Sequence, residues 1–123
     1  MNIIRLYKEA SERLLNNDLN FQNRTERVLG FLRSIGVLPV KRAFVNGNLH
    51  VGFAAVLVNA FEVGDTIDLP TRRQGDLHDL GLSTVIVKWL DEAVRHEILI
   101  PANGSKKAEG ALMVGPVLSE IMQ

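Results

Sequence analysis

The sequence predicts an α+β fold: two N-terminal helices, a small mainly antiparallel sheet, and one long amphipathic helix over residues 83–96 packed on it. Three observations carry that prediction. Apolar residues recur at helical spacing through the N-terminal third. From Arg42 onward the rhythm changes to short apolar runs punctuated by Gly, Pro and Asn. The helical period then returns, with its widest apolar face, between Val85 and Val94. The 123 residues suit a single domain, 1–123, with no repeat, linker or composition break to divide it.

The elements follow in order. In a first helix, about 2–16, Ile3, Tyr7, Ala10 and Leu14 share a face, and Asn16-Asn17 supplies a stop. For the second, Asn23 and Glu26 have the spacing of a capping box, Val28, Phe31, Leu32 and Ile35 form the buried stripe, and Gly36 with Pro39 ends it. Residues 43–51 read as a hairpin about Asn46-Gly47, because that dipeptide readily takes the positive φ angles of a type I′ turn. Residues 53–61 fit either a buried strand or a short buried helix, since a nearly continuous apolar run has no decisive period.

Residues 66–69 alternate as an edge strand does, and a short helix is expected over about 71–79. Ser83 is placed to cap the long helix. Val85, Ile86, Val87, Trp89, Leu90, Ala93 and Val94 form its apolar face, with Thr84, Lys88, Asp91, Glu92 and Arg95 opposite. Residues 98–101 and 111–114 read as strands around a polar tip at 102–110, and Pro116 opens a last short helix, 117–122.

Composition removes several functions. Fourteen basic residues balance fourteen acidic ones, so no whole-molecule field draws the chain to nucleic acid or anionic lipid. Without cysteine there is no disulfide, thiolate catalysis or Cys-ligated metal. His50, His78 and His96 are scattered, with no pair at the i, i+4 spacing that puts two ligands on one helix face. Asp76, His78 and Asp79 are the one tight titratable cluster, read as polar surface. Gly81-Leu82-Ser83 lacks the flanking glycine of a nucleophile elbow, and Gly104-Ser105-Lys106 lacks the upstream glycine of a phosphate loop. No catalytic residue, metal or cofactor is therefore assigned. The longest apolar run, 51–60, is far short of the roughly 20 residues of a membrane span. Charges through the first fifteen residues leave no secretory signal, so a cytoplasmic setting is expected.

Local charge is uneven. Residues 1–42 hold eight Lys or Arg against four acids, with Arg24, Arg27, Arg33, Lys41 and Arg42 around the second helix. Residues 43–70 hold no Lys or Arg and three acids, Glu62, Asp65 and Asp68. That asymmetry suits either self-association or balance within one chain.

Leu80-Gly81-Leu82-Ser83, the apolar Val87 and Val94, Leu99-Ile100, the polar tip Asn103-Gly104-Ser105-Lys106-Lys107 and the strand at 112–114 together resemble a winged helix-turn-helix over about residues 66–114. The resemblance implies a non-catalytic DNA-binding regulator. In it Ser83, Thr84, Lys88 and Arg95 would face a major groove, and Arg72, Arg73, Lys106 and Lys107 would hold phosphates of double-stranded DNA. A homodimer through the N-terminal helices would supply two half-sites. Asp76, Leu77 and Asp91 depart from the pattern, and Asp91 and Glu92 put two carboxylates on the face that would meet phosphates. The competing reading is a homo-oligomeric protein- or small-ligand-binding module with no nucleic-acid role, motivated by the aliphatic richness of 51–61 and 112–122.

Overall fold

The computed structural model describes residues 1–40, 47–64, 66–69 and 84–123. Among them lie five helices and a three-stranded antiparallel sheet, an α+β fold. In chain order these are α1 (Ile3–Leu15), α2 (Leu19–Ser34), α3 (Gly47–Val63), β1 (Ile67–Asp68), α4 (Thr84–Arg95), β2 (Leu99–Pro101), β3 (Ala111–Val114) and α5 (Pro116–Met122). The predicted helix over 71–79 and the cap at Ser83 lie outside the described residues.

The first helix forms where its spacing predicts, but Leu6 joins the buried stripe while Tyr7 and Leu14 of the expected face are half-buried. Asn2 caps α1 by accepting from the Ile4 N–H, and Ile3, Leu6 and Ala10 are buried. The second begins earlier than the capping-box spacing predicts. Asp18, not Asn23, is the cap, accepting from the Phe21 N–H at 3.1 Å, and Asn23 lies exposed inside the helix. The earlier start brings Phe21, which is fully buried, onto the same apolar stripe as Val28 and Leu32. Burying one such ring is worth about 1.5–3 kcal/mol, more than the choice between two caps.

Three helices close with the same lock. Asn17, Gly36 and Glu97 take positive φ, and each ending pairs an i→i−3 with an i→i−5 backbone hydrogen bond. Glu97 N–H donates to Val94 O and Ile98 N–H to Ala93 O, which satisfies the last carbonyls of α4 and turns the chain into β2. Gly36 was legible as such a stop; Glu97 was not, because a Glu side chain, unlike Gly, Asn or Asp, rarely occupies the left-handed region.

The largest departure is at α3. Asn48, Leu49, His50 and Val51 form its first turns, so the hairpin expected over 43–51 does not form, and 53–61 is helix rather than strand. Residues 41–46 lie outside the described residues. The physical reason is burial on all sides. Phe53 through Val58, and Ala60, are at most 1% exposed, packed by α1 and α2 and touching β3. Four large side chains, Phe53, Val56, Leu57 and Val58, each gain about 1.5–3 kcal/mol from burial, against roughly 1 kcal/mol of local strand or turn preference.

Close approach within this layer depends on Gly52. A Cβ there would sit 2.2 Å from the Tyr7 hydroxyl and 2.7 Å from its ring carbon, so the missing side chain is what lets Tyr7 of α1 lie on α3. Burial raises the pKa of that phenol. Asn59, buried on α3, donates to Leu6 O at 3.3 Å and to Glu9 Oε2 at 3.4 Å and accepts from Arg13. It therefore meets the requirement that a buried amide be hydrogen-bonded.

At the C-terminal end of α3 a charge network ties three helices together. Glu62 accepts from both Arg13 and Arg24, the latter at 2.7 Å, while Arg13 reaches Asp18 at 3.0 Å and stacks 3.9 Å above the Phe21 ring. The charge asymmetry between the N-terminal helices and 43–70 is balanced inside the chain at Glu62. Of the basic cluster, Arg24 is thus committed, Arg27 is exposed, Arg33 is half-buried, and Lys41 and Arg42 lie outside the described residues.

The sheet order is β1-β3-β2. Ile67 opposes Leu112, and Leu99, Ile100 and Pro101 oppose Val114, Met113 and Leu112. Alternation puts Ile67, Leu99 and Leu112 on the core face and leaves Ile100 and Met113 outside. On the outer edge of β1, Asn2 bridges Asp68 in parallel.

Gly115 joins β3 to α5 and donates to Ile98 O at 2.7 Å; a Cβ there would lie 2.4 Å from the Glu97 carbonyl oxygen. Backbone cannot give way cheaply at that distance. Gly115→Ala is expected to destabilise the protein by about 1–3 kcal/mol, read as a lower urea midpoint at unchanged slope. An unchanged midpoint would show that α5 can move off β2 without loss.

Candidate nucleic-acid interface

The helix proposed from sequence to face DNA is α4. Its apolar stripe, Ile86, Trp89, Leu90, Ala93 and Val94, is buried. The opposite face carries Thr84, Lys88, Asp91 and Arg95, all exposed. Trp89 anchors the buried side: its ring meets His50 of α3 edge-on at 4.9 Å between centroids and Phe53 at 5.5 Å. The inner side of α4 thus meets the first turns of α3, at His50 from the expected hairpin and at Phe53 from the run that fits either strand or helix.

Behind α4 stands an unusual polar contact. His50 is 1% exposed, and its Nδ1 and Arg33 Nε are buried without a hydrogen-bond partner among the described residues. Burial first, and the nearby Arg33 charge second, hold the His50 pKa below its ordinary value. The ring is therefore packed neutral against Trp89.

The hairpin tip between β2 and β3 is shaped by its own side chains. Asn103 Oδ1 accepts from the Ser105 N–H at 3.1 Å, and Ser105 Oγ accepts from the Lys107 N–H at 3.2 Å. Gly104 and Gly110 supply the positive φ angles this path needs. The local turn chemistry was readable in Asn103-Gly104-Ser105. What sequence did not give is the clamp across to α4: Asp91 Oδ1 accepts from the Ala108 N–H at 3.1 Å.

That clamp alters the charge argument. Asp91 departs from the apolar spacing because it lies on the solvent side, holding the tip. Glu92 is engaged by Arg95 and lies 3.8 Å from His96 Nε2. Both carboxylates on this face thus have partners within the protein. Lys88, Lys106 and Lys107 are exposed, with no ion-pair partner among the described residues.

The structure therefore puts Thr84, Lys88 and Arg95 on the exposed face of α4, and Lys106 and Lys107 on the tip clamped to that helix. Arg72, Arg73 and Ser83 lie outside the described residues, as do Asp76, His78 and Asp79. Among the described residues no three His, Asp or Glu side chains converge as metal ligands, and no helix is long and apolar enough to cross a membrane.

Two predictions follow from this geometry. Below about pH 6.5 the unfolded chain protonates its histidines, whereas folded His50 resists until lower pH; its contribution is full above that value and shrinks as pH falls towards the folded pKa. The urea midpoint should fall between about pH 7.5 and about pH 5.5, and His50→Phe should flatten that dependence. A wild-type slope retained in His50→Phe would remove His50 as the cause. For the clamp, Asp91→Ala should speed hydrogen exchange at the Ala108 amide by about two- to tenfold, the loss of one hydrogen bond, without affecting the interior of α4. Unchanged exchange at Ala108 would dissolve the clamp. As for likeness to known proteins, no family model, curated protein or solved structure matches this chain.

Proposed function

We propose that the protein is a non-catalytic, winged-helix-like DNA-binding module, α4 entering a groove and the β2–β3 tip lying beside the phosphates. The observation that carries this reading is the order and pairing of the C-terminal elements: helix α3, strand β1, helix α4, then a hairpin whose return strand β3 sits between β1 and β2. That arrangement leaves one face of α4 and the hairpin tip projecting from the core, carrying Thr84, Lys88, Arg95, Lys106 and Lys107.

Electrostatics support the assignment of roles. The three lysines with no ion-pair partner among the described residues can take phosphate contacts without first breaking one of the ion pairs seen there, whereas Arg95 must share its guanidinium with Glu92. Lys106 and Lys107 are thus backbone-positioning groups, and Thr84 and Lys88 are the side chains on α4 placed to meet base edges. Arg72, Arg73 and Ser83 belong to the same reading from sequence. In a homodimer, one α4 per half-site would double the contact with the duplex. The protein would then act as a regulator of transcription in the cytoplasm of its cell.

The test is binding to mixed duplex DNA across a salt series, with light scattering on the same sample. Lys106→Ala with Lys107→Ala should lower affinity about equally for all sequences and reduce the salt slope by about two, the loss of two phosphate contacts. Lys88→Ala should weaken binding unevenly among sequences. Absence of binding at low salt, or a double variant with unaltered slope, would overturn the reading. A strict monomer on DNA would remove its dimeric part.

A further inference from the structure

We propose that the cleft between the end of α4, strand β2 and the hairpin tip is a binding site for a small amphipathic carboxylate, an apolar tail carrying one anionic group. The cleft has a volume of about 750 Å³, within the roughly 300–1,000 Å³ of small-molecule sites. Val94, Leu99, Ile100, Pro101, Pro116 and Val117 give it apolar walls drawn from three separate elements. Ile100 and Val117, 39% and 40% exposed, present apolar surface that an occupant would remove from water.

Charge at the rim selects the head group. Arg95 and Lys106 stand on the cleft as cations against one acid, Glu97, a net of one positive charge. Lys106 has no ion-pair partner among the described residues, and Arg95 shares one terminal nitrogen with Glu92, leaving other N–H donors of its planar fork. A neutral apolar ligand would leave those cations unused. A multiply charged, wholly polar anion would leave the apolar walls wet. One carboxylate with a hydrocarbon tail satisfies both.

The cleft also has a stable frame. The positive-φ turn at Glu97 and the Gly115–Ile98 hydrogen bond fix the backbone next to the lining residues Leu99 and Pro116, and the Asp91–Ala108 contact holds the tip that carries Lys106. Because Arg95 is a groove-facing group and Lys106 a phosphate-facing one in the reading above, an occupant would compete with DNA for them; this regulatory consequence alone rests on that reading.

The experiment is a titration of the full chain with octanoate, followed by backbone amide chemical shifts, with octanol and acetate as the tail-only and head-only comparators. Expected are saturable shifts centred on Ile100, Lys106 and Val117, with octanol and acetate each weaker by about tenfold or more. Lys106→Ala should weaken octanoate binding, Glu97→Gln should tighten it, and Val117→Trp, which fills the cleft from an exposed position, should abolish it while the remaining spectrum is retained. Octanol binding as well as octanoate would overturn the carboxylate assignment, acetate binding as well would overturn the apolar one, and absent or dispersed shifts would overturn the site. No DNA is present in this titration, so its failure and failure of DNA binding are separate results. Loss of DNA affinity on adding octanoate then reads the regulatory consequence.

Discussion

Burial of α3 on all sides is the constraint on which the rest of the structure depends. A helix whose residues 52–60 are all buried needs neighbours around its whole circumference, and in a chain of this size they come from both N-terminal helices and the sheet. Its two polar interior residues are handled differently. Asn59 is tied by hydrogen bonds to α1, whereas one ring nitrogen of His50 has no hydrogen-bond partner among the described residues and the ring instead meets Trp89 edge-on. The first makes the N-terminal layer specific; the second carries that layer's order on to α4.

From α4 outward the structure changes character. The helix is held on its inner side by apolar and aromatic packing, and on its outer side by the exposed hydrogen bond that the Ala108 N–H of the hairpin tip donates to Asp91. An exposed contact of that kind is weak, about 0.5–1.5 kcal/mol net, yet it links two elements that would otherwise project independently. The consequence is a rigid inner face and an outer face whose geometry depends on a few local bonds: Asn103 to Ser105, Ser105 to Lys107, and Asp91 to Ala108. Placing cationic side chains on such a frame gives them a defined spacing without cost to the core.

Charge is arranged on the same principle. The net charge is zero by composition, yet the acids that face neighbouring cations are used internally, Glu62 between Arg13 and Arg24 and Glu92 beside Arg95, while Lys106 and Lys107 at the tip have no ion-pair partner among the described residues. Surface ion pairs of this type add little stability, and their effect here is on the local field. Counting charges by segment along the chain therefore misstates the field at the α4 face, where partners come from sequence neighbours and from the hairpin alike.

The sequence determined the α+β class, α1, the end of α2 at Gly36, the amphipathic helix at α4, the strands on either side of a polar tip, and the short last helix. In each, a local signal and the buried face agree: period, cap, turn residue and Pro116 point to one answer. Where they disagree, tertiary structure decided. Asn23-Glu26 is a sound capping box that lost to the burial of Phe21, and Asn46-Gly47 is a sound turn signal followed by residues that form a helix instead. An apolar run without period states only that it will be buried, and whether it is helix or strand depends on what surrounds it. The same holds for the candidate site. Lys88, Arg95, Lys106 and Lys107 were legible as residues of helix and tip, but Asp91 as a clamp, His50 as the partner of Trp89 and the cleft between Arg95 and Lys106 arise from contacts between distant segments, which no local pattern encodes.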